Sequence, residues 1–277
     1  MAGDMPSGDD VAAVAYRRGL VVPARRTVPT EVAIAMTYGG STQAVLMASP
    51  DDLEDFAVGF TLTEGIVDSA DEIEAIERID SDLGIEMRLT LARPREARLA
   101  ARRRSMAGPV GCGLCGIESL EAATRSLPRI GAETRFAPAA ILAAMAALEP
   151  LQAVNAATHA VHAAAFWHPS EGVGPVREDI GRHNALDKLA GALARRRAPV
   201  TESAVLLTSR VSVEMVQKTA VIGAPLIVAV SAPSSLAIRT AEAAGITLVA
   251  VARADGFEIF THERRIGAVS GAARDVA

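Results

Sequence analysis

The sequence has few aromatic residues, cysteines and histidines. Aromatic residues make up 3% of the 277 positions, and the chain has two cysteines and five histidines, whereas 50% of its residues are hydrophobic. Alanine and valine must therefore supply most of the core, which favours small, closely packed side chains. Two cysteines separated by two residues do not make the disulfide framework of a secreted domain. A reduced, usable CxxC in a cytoplasmic protein fits better.

The sequence also lacks long apolar runs and an excess of basic over acidic residues. There is no stretch of about 18 or more apolar residues, so we expect no membrane-spanning helix. The N-terminus MAGDMPSGDD lacks the basic and apolar regions of a secretory signal. The net charge of −5 and the isoelectric point near 5.6 argue against nucleic acid as the main partner. We therefore expect a cytoplasmic protein that binds neither membranes nor nucleic acid.

The residue pattern predicts an α/β protein with two folded domains. Residues 1–10 are polar and predict a disordered tail, and residues 11–104 predict a smaller N-terminal α+β domain. Residues 105–135 predict a connector that contains the CxxC loop. In residues 136–277, helical patterns alternate with nearly continuous apolar strands. This alternation is typical of a three-layer α/β/α sandwich with a largely parallel sheet.

Local signals in the N-terminal domain predict two helices and a strand. The SPDD run at 49–52 offers a cap, a proline at the first position and acidic residues in the first turn. A helix is expected to begin there and to end near Gly65. Residues 71–79 predict a second short helix, and the alternation at 84–92 predicts a strand.

The two cysteines lie in the run GCGLCG at 111–116, where glycines leave the thiols of Cys112 and Cys115 unshielded. This spacing suits a zinc site, a dithiol–disulfide site or a carrier that holds sulfur as a persulfide. The sequence lacks a second cysteine pair, which weakens the zinc interpretation, and we expect no permanent metal. No histidine precedes Cys112, which excludes the H-x-E signature of zinc deaminases. Sulfur transfer and redox chemistry both remain open at this point.

Four further stretches are long and distinctive: SPDDLEDFAVGFTLTEGI at 49–66, REDIGRHNALDKLAG at 177–191, SRVSVEMVQK at 209–218 and SAPSSLAI at 231–238. Together with GCGLCG they resemble the formate dehydrogenase accessory sulfurtransferase family (FdhD/NarQ), from about residue 27 to residue 267. The resemblance implies a C-terminal fold like that of cytidine deaminases, without their zinc site. It also implies a homodimer.

The same resemblance implies a sulfurtransferase. Such a protein passes sulfane sulfur, through a cysteine persulfide, from a cysteine desulfurase to the molybdenum cofactor required by formate dehydrogenase. The cofactor would be a bound substrate in its bis-molybdopterin guanine dinucleotide form. By match to the family, Cys112 is expected to carry the persulfide and Cys115 to assist. A cofactor-loading chaperone without sulfur transfer and a CxxC thiol–disulfide oxidoreductase are the alternatives.

The cofactor contacts are predicted from the resemblance and from the positions of polar residues after strands and at helix N-termini, where α/β folds bind anions. They are Arg182, His183, Asn184, Arg210, Ser212 and Ser231, with the segment Val251, Ala252, Arg253, Ala254, Asp255 and Gly256. A purely structural interpretation has Asp179 capping a helix, with Asp187 and Lys188 in solvent. Ser234 is equally expected to be a plain helix cap.

Three runs depart from the family pattern near these contacts. The run at 158–162 keeps His162, which is predicted to lie in mid-strand, but lacks paired glycines. The run at 209–212 reads SRVS where the family has GR-x-S, and Ala250-Val251 replaces a glycine–phenylalanine pair. These changes affect the expected cofactor contacts more than the expected activity.

Overall fold

The computed structural model describes residues 7–93, 95 and 127–267. Its contacts divide the chain into two compact units. Unit 1 combines Met1–Ser126, Gln152–Ala164 and Arg177–Ala198, and unit 2 combines Leu127–Leu151, Ala165–Val176 and Pro199–Ala277. Neither unit is contiguous in the chain, whereas the sequence predicts contiguous domains over 11–104 and 136–277.

The helices of the described residues are α1 (Leu53–Thr63), α2 (Pro138–Leu148), α3 (Ala153–Thr158), α4 (Arg182–Arg196), α5 (Val213–Ile222) and α6 (Ser235–Ala244). The strands are β1 (Gly8–Arg17), β2 (Leu20–Pro29), β3 (Val32–Tyr38), β4 (Ser41–Ala48), β5 (Ile73–Ser81), β6 (Gly84–Leu91), β7 (His162–His168), β8 (Gly172–Asp179), β9 (Ala204–Leu207), β10 (Leu226–Ala229), β11 (Thr247–Arg253) and β12 (Gly256–Ile259). None of these helices is both long and apolar enough to cross a membrane.

Unit 1 contains a two-stranded hairpin, β1–β2, and a four-stranded sheet in the order β4-β3-β6-β5. In the larger sheet β3 runs parallel to β6, and the other neighbours are antiparallel. Strand β1 begins at Gly8, so residues 8–10 form strand where the sequence predicts a disordered tail. The side chains of Asp10 and Asp9 help to hold this strand, since they accept hydrogen bonds from Thr27 Oγ1 (2.7 Å) and Thr30 Oγ1 (3.0 Å).

Two predictions for unit 1 are wrong in detail. Helix α1 begins at Leu53, because Asp52 takes the left-handed conformation at φ 54° and interrupts the expected start at Pro50. The predicted helix at 71–79 is a single 3-10 turn at Ala70–Glu72 followed by β5. Antiparallel pairing with β6 decides this segment, and such pairing overrides local propensity.

Helices α1 and α4 pack together in unit 1 at a pair of glycines. A Cβ added at Gly59 would lie 1.7 Å from the carbonyl oxygen of Asp187, and one added at Gly191 would lie 1.9 Å from that of Asp55. The two backbones therefore approach as closely as glycine alone permits. This packing assigns α4 to unit 1, although it lies more than a hundred residues from α1 in the chain.

Unit 2 is organised on a sheet whose strand order is β12-β11-β10-β9-β7-β8. Strands β9, β10 and β11 are parallel, with α5 and α6 as their crossovers, and β12 is antiparallel to β11. The first residues of β7 and the last of β8 are assigned to unit 1. The core of unit 2 is mainly small and aliphatic, with Phe136 and Trp167 in contact at 5.8 Å between ring centroids. The chain is therefore a mixed α/β protein, as predicted.

Candidate functional site

The predicted sulfur-carrying residues, Cys112 and Cys115, fall in residues 96–126, outside the described part of the chain. Their roles stay predictions. The structure instead shows how the predicted cofactor contacts are arranged, and it divides them between the two units. Arg182, His183 and Asn184 belong to unit 1, and all the others belong to unit 2.

In unit 1, the turn between β8 and α4 is held by a buried ion pair. Asp179 Oδ2 lies 2.7 Å from Lys188 Nζ, and both side chains are fully buried. Lys188 Nζ also donates to the carbonyl oxygen of Ser49 (3.0 Å), whose own amide donates to Asp179 Oδ2 (3.0 Å). A buried carboxylate and ammonium need such complete pairing, since each would otherwise carry a large desolvation penalty. The pair therefore fixes the turn that carries Arg182 and His183.

The purely structural interpretation of this turn, in which Asp179 caps the helix while Asp187 and Lys188 lie in solvent, is wrong in part. Asp179 Oδ1 does accept the amide of Gly181 (2.8 Å) at the start of α4. Asp187 and Lys188, however, are buried, because α4 is enclosed from Asn184 to Leu193. Asp187 Oδ1 accepts a hydrogen bond from Thr63 Oγ1 at 2.5 Å.

Asn184 belongs to the frame of this turn. Its Nδ2 donates to the carbonyl oxygen of Met47 (2.8 Å) and to Asp179 Oδ1 (3.0 Å), so both amide hydrogens have protein acceptors. Arg182 and His183 are less buried and stand at the first turn of α4. Of the three predicted contacts in unit 1, these two are better placed to meet a ligand.

The first turn of α4 has the features of an anion site. Its N-cap, Gly181, supplies no side-chain cap, and Arg182 Nε is buried without a hydrogen-bond partner among the described residues. His162 is half-buried at the first position of β7, and not in mid-strand as predicted. Burial lowers the pKa of His162, the positive charge of Arg182 lowers it further, and Asp179 opposes them. A helix N-terminus beside a guanidinium and a neutral imidazole suits an anionic group.

In unit 2, backbone hydrogen bonds join the segments that follow β9 and β10 to each other and to the last residues of β11. The amide of Ser234 donates to the carbonyl of Val211 (2.9 Å), and the amide of Val251 donates to the carbonyl of Ser231 (3.4 Å). The remaining predicted contacts are thereby gathered at the carboxyl ends of three neighbouring parallel strands: Arg210, Ser212, Ser231 and the segment 251–256. Ligands of α/β sheets bind at such an edge.

Two side chains of this group, and the neighbouring Ser234, have distinct positions. Arg253 is exposed, and its Nη1 donates to the carbonyl oxygens of Ala252 (2.8 Å) and Val230. Ser212 is the N-cap of α5, but it makes no capping bond, and its buried Oγ has no hydrogen-bond partner among the described residues. Ser234 Oγ accepts the amide of Ala237 (3.2 Å), which confirms its prediction as a helix cap.

The backbone of the segment 251–256 is unusual. Val251 lies in the left-handed region at φ 53°, where strand register shifts between Ala250 and Arg253. A β-branched residue at positive φ is strained, and such residues cluster at binding sites. Residues 253–255 are exposed beyond this irregularity, so their side chains face solvent.

Sequence reasoning missed Ser49, Lys188 and Glu178 as parts of the frame. The carboxylate of Glu178 accepts the amides of Val154 (2.9 Å) and Asn155 (2.8 Å) at the start of α3. A sequence signal for these residues was available. Ser49 begins the distinctive stretch 49–66, and Glu178 and Lys188 lie in the stretch 177–191. A polar residue in a distinctive stretch can hold the site as well as contact the ligand.

Residues 29–267 match the FdhD/NarQ family. The chain belongs to this family. The predicted membership is therefore confirmed, and Cys112 and Cys115 lie inside the matched range. This FdhD/NarQ chain is 53% identical to the sulfur carrier protein FdhD of Agrobacterium fabrum, over 92% of this chain and 95% of that protein. It is 55% identical to the protein of the same name from Brucella abortus, over 93% of this chain and 96% of that one.

The fold of this FdhD/NarQ chain also matches a solved structure. That crystal structure, from Desulfotalea psychrophila, is described as a formate dehydrogenase accessory protein. The match has a TM-score of 0.73 at 27% identity and covers 94% of this chain and 100% of the other. The mixed α/β fold is thus shared across nearly the whole length of both chains.

Proposed function

We propose that this FdhD/NarQ chain is a sulfurtransferase that carries sulfane sulfur as a persulfide on Cys112 and delivers it to a bound molybdenum cofactor. The relatives named sulfur carrier proteins support the sulfur-carrying role. The proposed binding of the cofactor rests on one observation. Four of the predicted contacts lie at one edge of the unit 2 sheet: Arg210, Ser212, Ser231 and Arg253. That edge is where a dinucleotide would bind.

The first chemical step loads sulfur. The Cys112 thiolate attacks the terminal sulfur of a cysteine desulfurase persulfide, so that a new S–S bond forms on Cys112 while the donor S–S bond breaks. The desulfurase cysteine leaves as a thiolate, and no net oxidation occurs. A thiolate is needed because it, and not the thiol, is the nucleophile.

The second step releases sulfur, and it explains why two cysteines are needed. The Cys115 thiolate attacks the inner sulfur of the Cys112 persulfide, which yields a Cys112–Cys115 disulfide and expels the outer sulfur as hydrosulfide at the cofactor. The two electrons come from the cysteine pair, so a cellular dithiol must reduce the disulfide before the next cycle. This requirement supports a cytoplasmic location, where thiols are kept reduced.

The bound substrate is proposed to be the bis-molybdopterin guanine dinucleotide, whose metal centre is the sulfur acceptor. Arg253 and Arg210 supply guanidinium groups suited to its phosphates, and the α5 N-terminus with Ser212 supplies donors. Arg182 and the α4 N-terminus offer a second anion-binding group in unit 1. Formate dehydrogenase is the proposed recipient of the matured cofactor.

We also propose that the C-terminal fold is a three-layer sandwich of the cytidine deaminase-like class. The parallel order β9-β10-β11 with helical crossovers supports it. The histidine that precedes the cysteines in the deaminase zinc signature is missing from this sequence.

The decisive experiment is desulfurase treatment with labelled cysteine, followed by mass spectrometry of tryptic peptides. The wild type and C115A should gain about 32 Da, one sulfur atom, on Cys112, and C112A should gain nothing. C112A should also fail to mature formate dehydrogenase while it remains folded. Label on C112A, or full maturation by C112A, would overturn the assignment.

The same assay separates the alternatives. Binding of the guanine dinucleotide cofactor without any label on either cysteine would indicate a cofactor-loading chaperone. Reduction of insulin disulfides without label would indicate a thiol–disulfide oxidoreductase. R253A serves as the matched variant for cofactor binding, because it should load sulfur normally but bind the cofactor weakly.

A further inference from the structure

A cavity of about 640 Å³ in unit 2 gathers reactive side chains away from the proposed cofactor contacts. Its lining includes Arg135, His168, Ser170 and Glu202, which all belong to unit 2. Glu202 lies two residues before the start of β9, so the cavity is at the amino end of this strand. Arg210, by contrast, follows the carboxyl end of β9. The cavity is therefore separate from the edge where the cofactor is proposed to bind.

The turn between β7 and β8 places a serine against a histidine. Ser170 Oγ lies 2.9 Å from His168 Nδ1, and the backbone amide of Ser170 donates to the same nitrogen (3.3 Å). Because an amide N–H can only donate, Nδ1 must be the unprotonated nitrogen of the ring, and the serine hydroxyl donates to it as well. The backbone thus fixes the tautomer of His168: Nδ1 is able to accept a proton from Ser170, and the ring hydrogen is on Nε2.

The other ring nitrogen of His168 faces a carboxylate. Nε2 lies 4.0 Å from Glu202 Oε2, and the His168 side chain is only 16% exposed. A carboxylate in this position orients the imidazole and stabilises the imidazolium that forms when Nδ1 takes a proton. The guanidinium of Arg135 lines the same cavity, where it can stabilise the negative charge that develops on an attacked carbonyl group. A nucleophile, a base, a group that positions the base and a cation therefore meet in one cavity.

The turn itself does not require the serine hydroxyl. The amide of Glu171 donates to the carbonyl oxygen of His168 (3.1 Å), which closes the turn through the backbone, and the amide of Ser170 already donates to Nδ1. A small residue without a hydroxyl would form this turn equally well. Ser170 is also exposed, so a molecule in the cavity can reach its hydroxyl. The hydroxyl is thus available as a nucleophile with its base already in place.

We propose that Ser170 is the nucleophile of an esterolytic site that hydrolyses small, uncharged carboxylic esters. Its hydroxyl oxygen attacks the carbonyl carbon, the ester C–O bond breaks, and the hydroxyl proton passes through His168 Nδ1 to the leaving alcohol. Water then attacks the acyl-serine by the same proton route, which releases the carboxylic acid and restores Ser170 with no change in oxidation state. Among the lining residues that the structure describes only Pro169 is apolar, which suits a short acyl chain, and the carboxylate of Glu133 disfavours anionic esters. The proposal does not rest on sulfur transfer, and its tests do not measure it.

The first test treats the full-length protein with a fluorophosphonate, which phosphonylates activated serines with loss of fluoride, and locates the label by mass spectrometry. Trypsin releases residues 136–177 as one peptide in which Ser170 is the only serine, and residues 79–88 as another that contains Ser81. Ser81 is an exposed matched control, because its Oγ donates to the carbonyl oxygen of Gly84 (2.9 Å), which is not a base. Only the peptide 136–177 should be labelled, and H168Q should slow this labelling about 100-fold. No label on 136–177, equal label on both peptides, or unchanged labelling of H168Q would overturn the proposal.

The second test measures hydrolysis of p-nitrophenyl acetate by the full-length protein after its cysteines have been alkylated, since thiolates also attack such esters. The wild type and S81A should turn over the ester, and S170A should lose about tenfold or more in kcat/KM while its thermal midpoint stays unchanged. E202Q should lower kcat and leave KM unchanged, because Glu202 positions His168 and does not bind the ester. Equal rates for the wild type and S170A would refute Ser170 as the nucleophile, and an unaffected E202Q would refute the role of Glu202.

Discussion

The position of Val251 is the sharpest conflict between a residue and its backbone in the described chain. Valine favours extended conformations, yet here it takes φ 53° within a strand that continues to Arg253. The left-handed conformation costs an L-residue roughly 1–2 kcal/mol. The neighbouring segments satisfy its backbone, since its amide donates to the Ser231 carbonyl (3.4 Å). The surrounding hydrogen bonds thus keep the strain at the edge where the cofactor is proposed to bind.

Substitutions at Val251 should reveal this strain. V251G and V251A both remove the side chain, but only glycine adopts positive φ freely, so V251G should be more stable than V251A by about 1 kcal/mol. Urea unfolding measures the difference. The same pair of substitutions at Val249, which has no positive φ, should show the usual order with alanine more stable. A V251A protein more stable than V251G would contradict the strained conformation.

His162 should make the stability of the protein depend on pH. Its pKa is lowered below 6.5 by burial and by Arg182, so the folded state binds fewer protons than the unfolded state in mildly acidic solution. The free energy of unfolding therefore falls as pH drops through and below the unfolded pKa of 6.5. H162Q removes this contribution and should lose less stability between about pH 7.5 and about pH 5.5. Denaturant unfolding of both proteins tests this, and identical pH slopes would refute it.

At the scale of elements, the contact between α1 and α4 depends on two glycines. G59A or G191A would place a Cβ within 2 Å of a backbone carbonyl, and neither helix can move away without breaking the contact. Each substitution should destabilise the protein by about 3 kcal/mol, at the upper end for overpacking. G131A is the control, because a Cβ there meets nothing within 4 Å. A G59A protein with the thermal midpoint of the wild type would show that the helices do not pack this closely.

Sequence alone predicts a helix or strand correctly where the residues of that element carry the signals for it. Helix α4 carries such signals, since its apolar spacing and the basic run at its end are local features. The segment from Ile73 to Ser81 was misread because Ile73, Ile76 and Ile79 repeat at helical spacing, and only the partner strand β6 reveals that they belong to a sheet. Local pattern predicts the element, but pairing decides ambiguous cases.

The candidate site shows the same limit. The edge formed by the ends of β9, β10 and β11 was predictable, because parallel strands bring their carboxyl ends together. The burial of Lys188 was not, because a lysine on a helix is normally solvated and its partners, Ser49 and Asp179, lie 139 and nine residues away in the chain. The sequence thus predicts the polar groups at the ends of strands, but it does not reveal the buried Asp179–Lys188 pair that holds the turn after β8.

At the scale of the whole molecule, the chain is interleaved between its two units. Unit 1 needs the late segment 177–198, which supplies both arginines that bind the buried carboxylate of Asp55. Arg177 Nη2 lies 2.6 Å from Asp55 Oδ2, and Arg195 Nη1 lies 2.6 Å from Asp55 Oδ1. Without them, this carboxylate in the first turn of α1 would be buried without either of these compensating charges, which is strongly destabilising.

The fragment 1–135 should therefore not fold by itself, although it contains the contiguous N-terminal domain that the sequence predicts. It lacks α4, so it loses the glycine contact of α1, the two arginines at Asp55 and the Asp179–Lys188 pair that holds Ser49. We expect a poorly dispersed amide spectrum and no cooperative thermal transition. A peptide of residues 177–198 added in trans should restore part of the dispersion, and the same peptide with K188M and R195A should not. A fragment 1–135 that unfolds cooperatively without the peptide would show that the N-terminal domain is autonomous and that α4 only covers it.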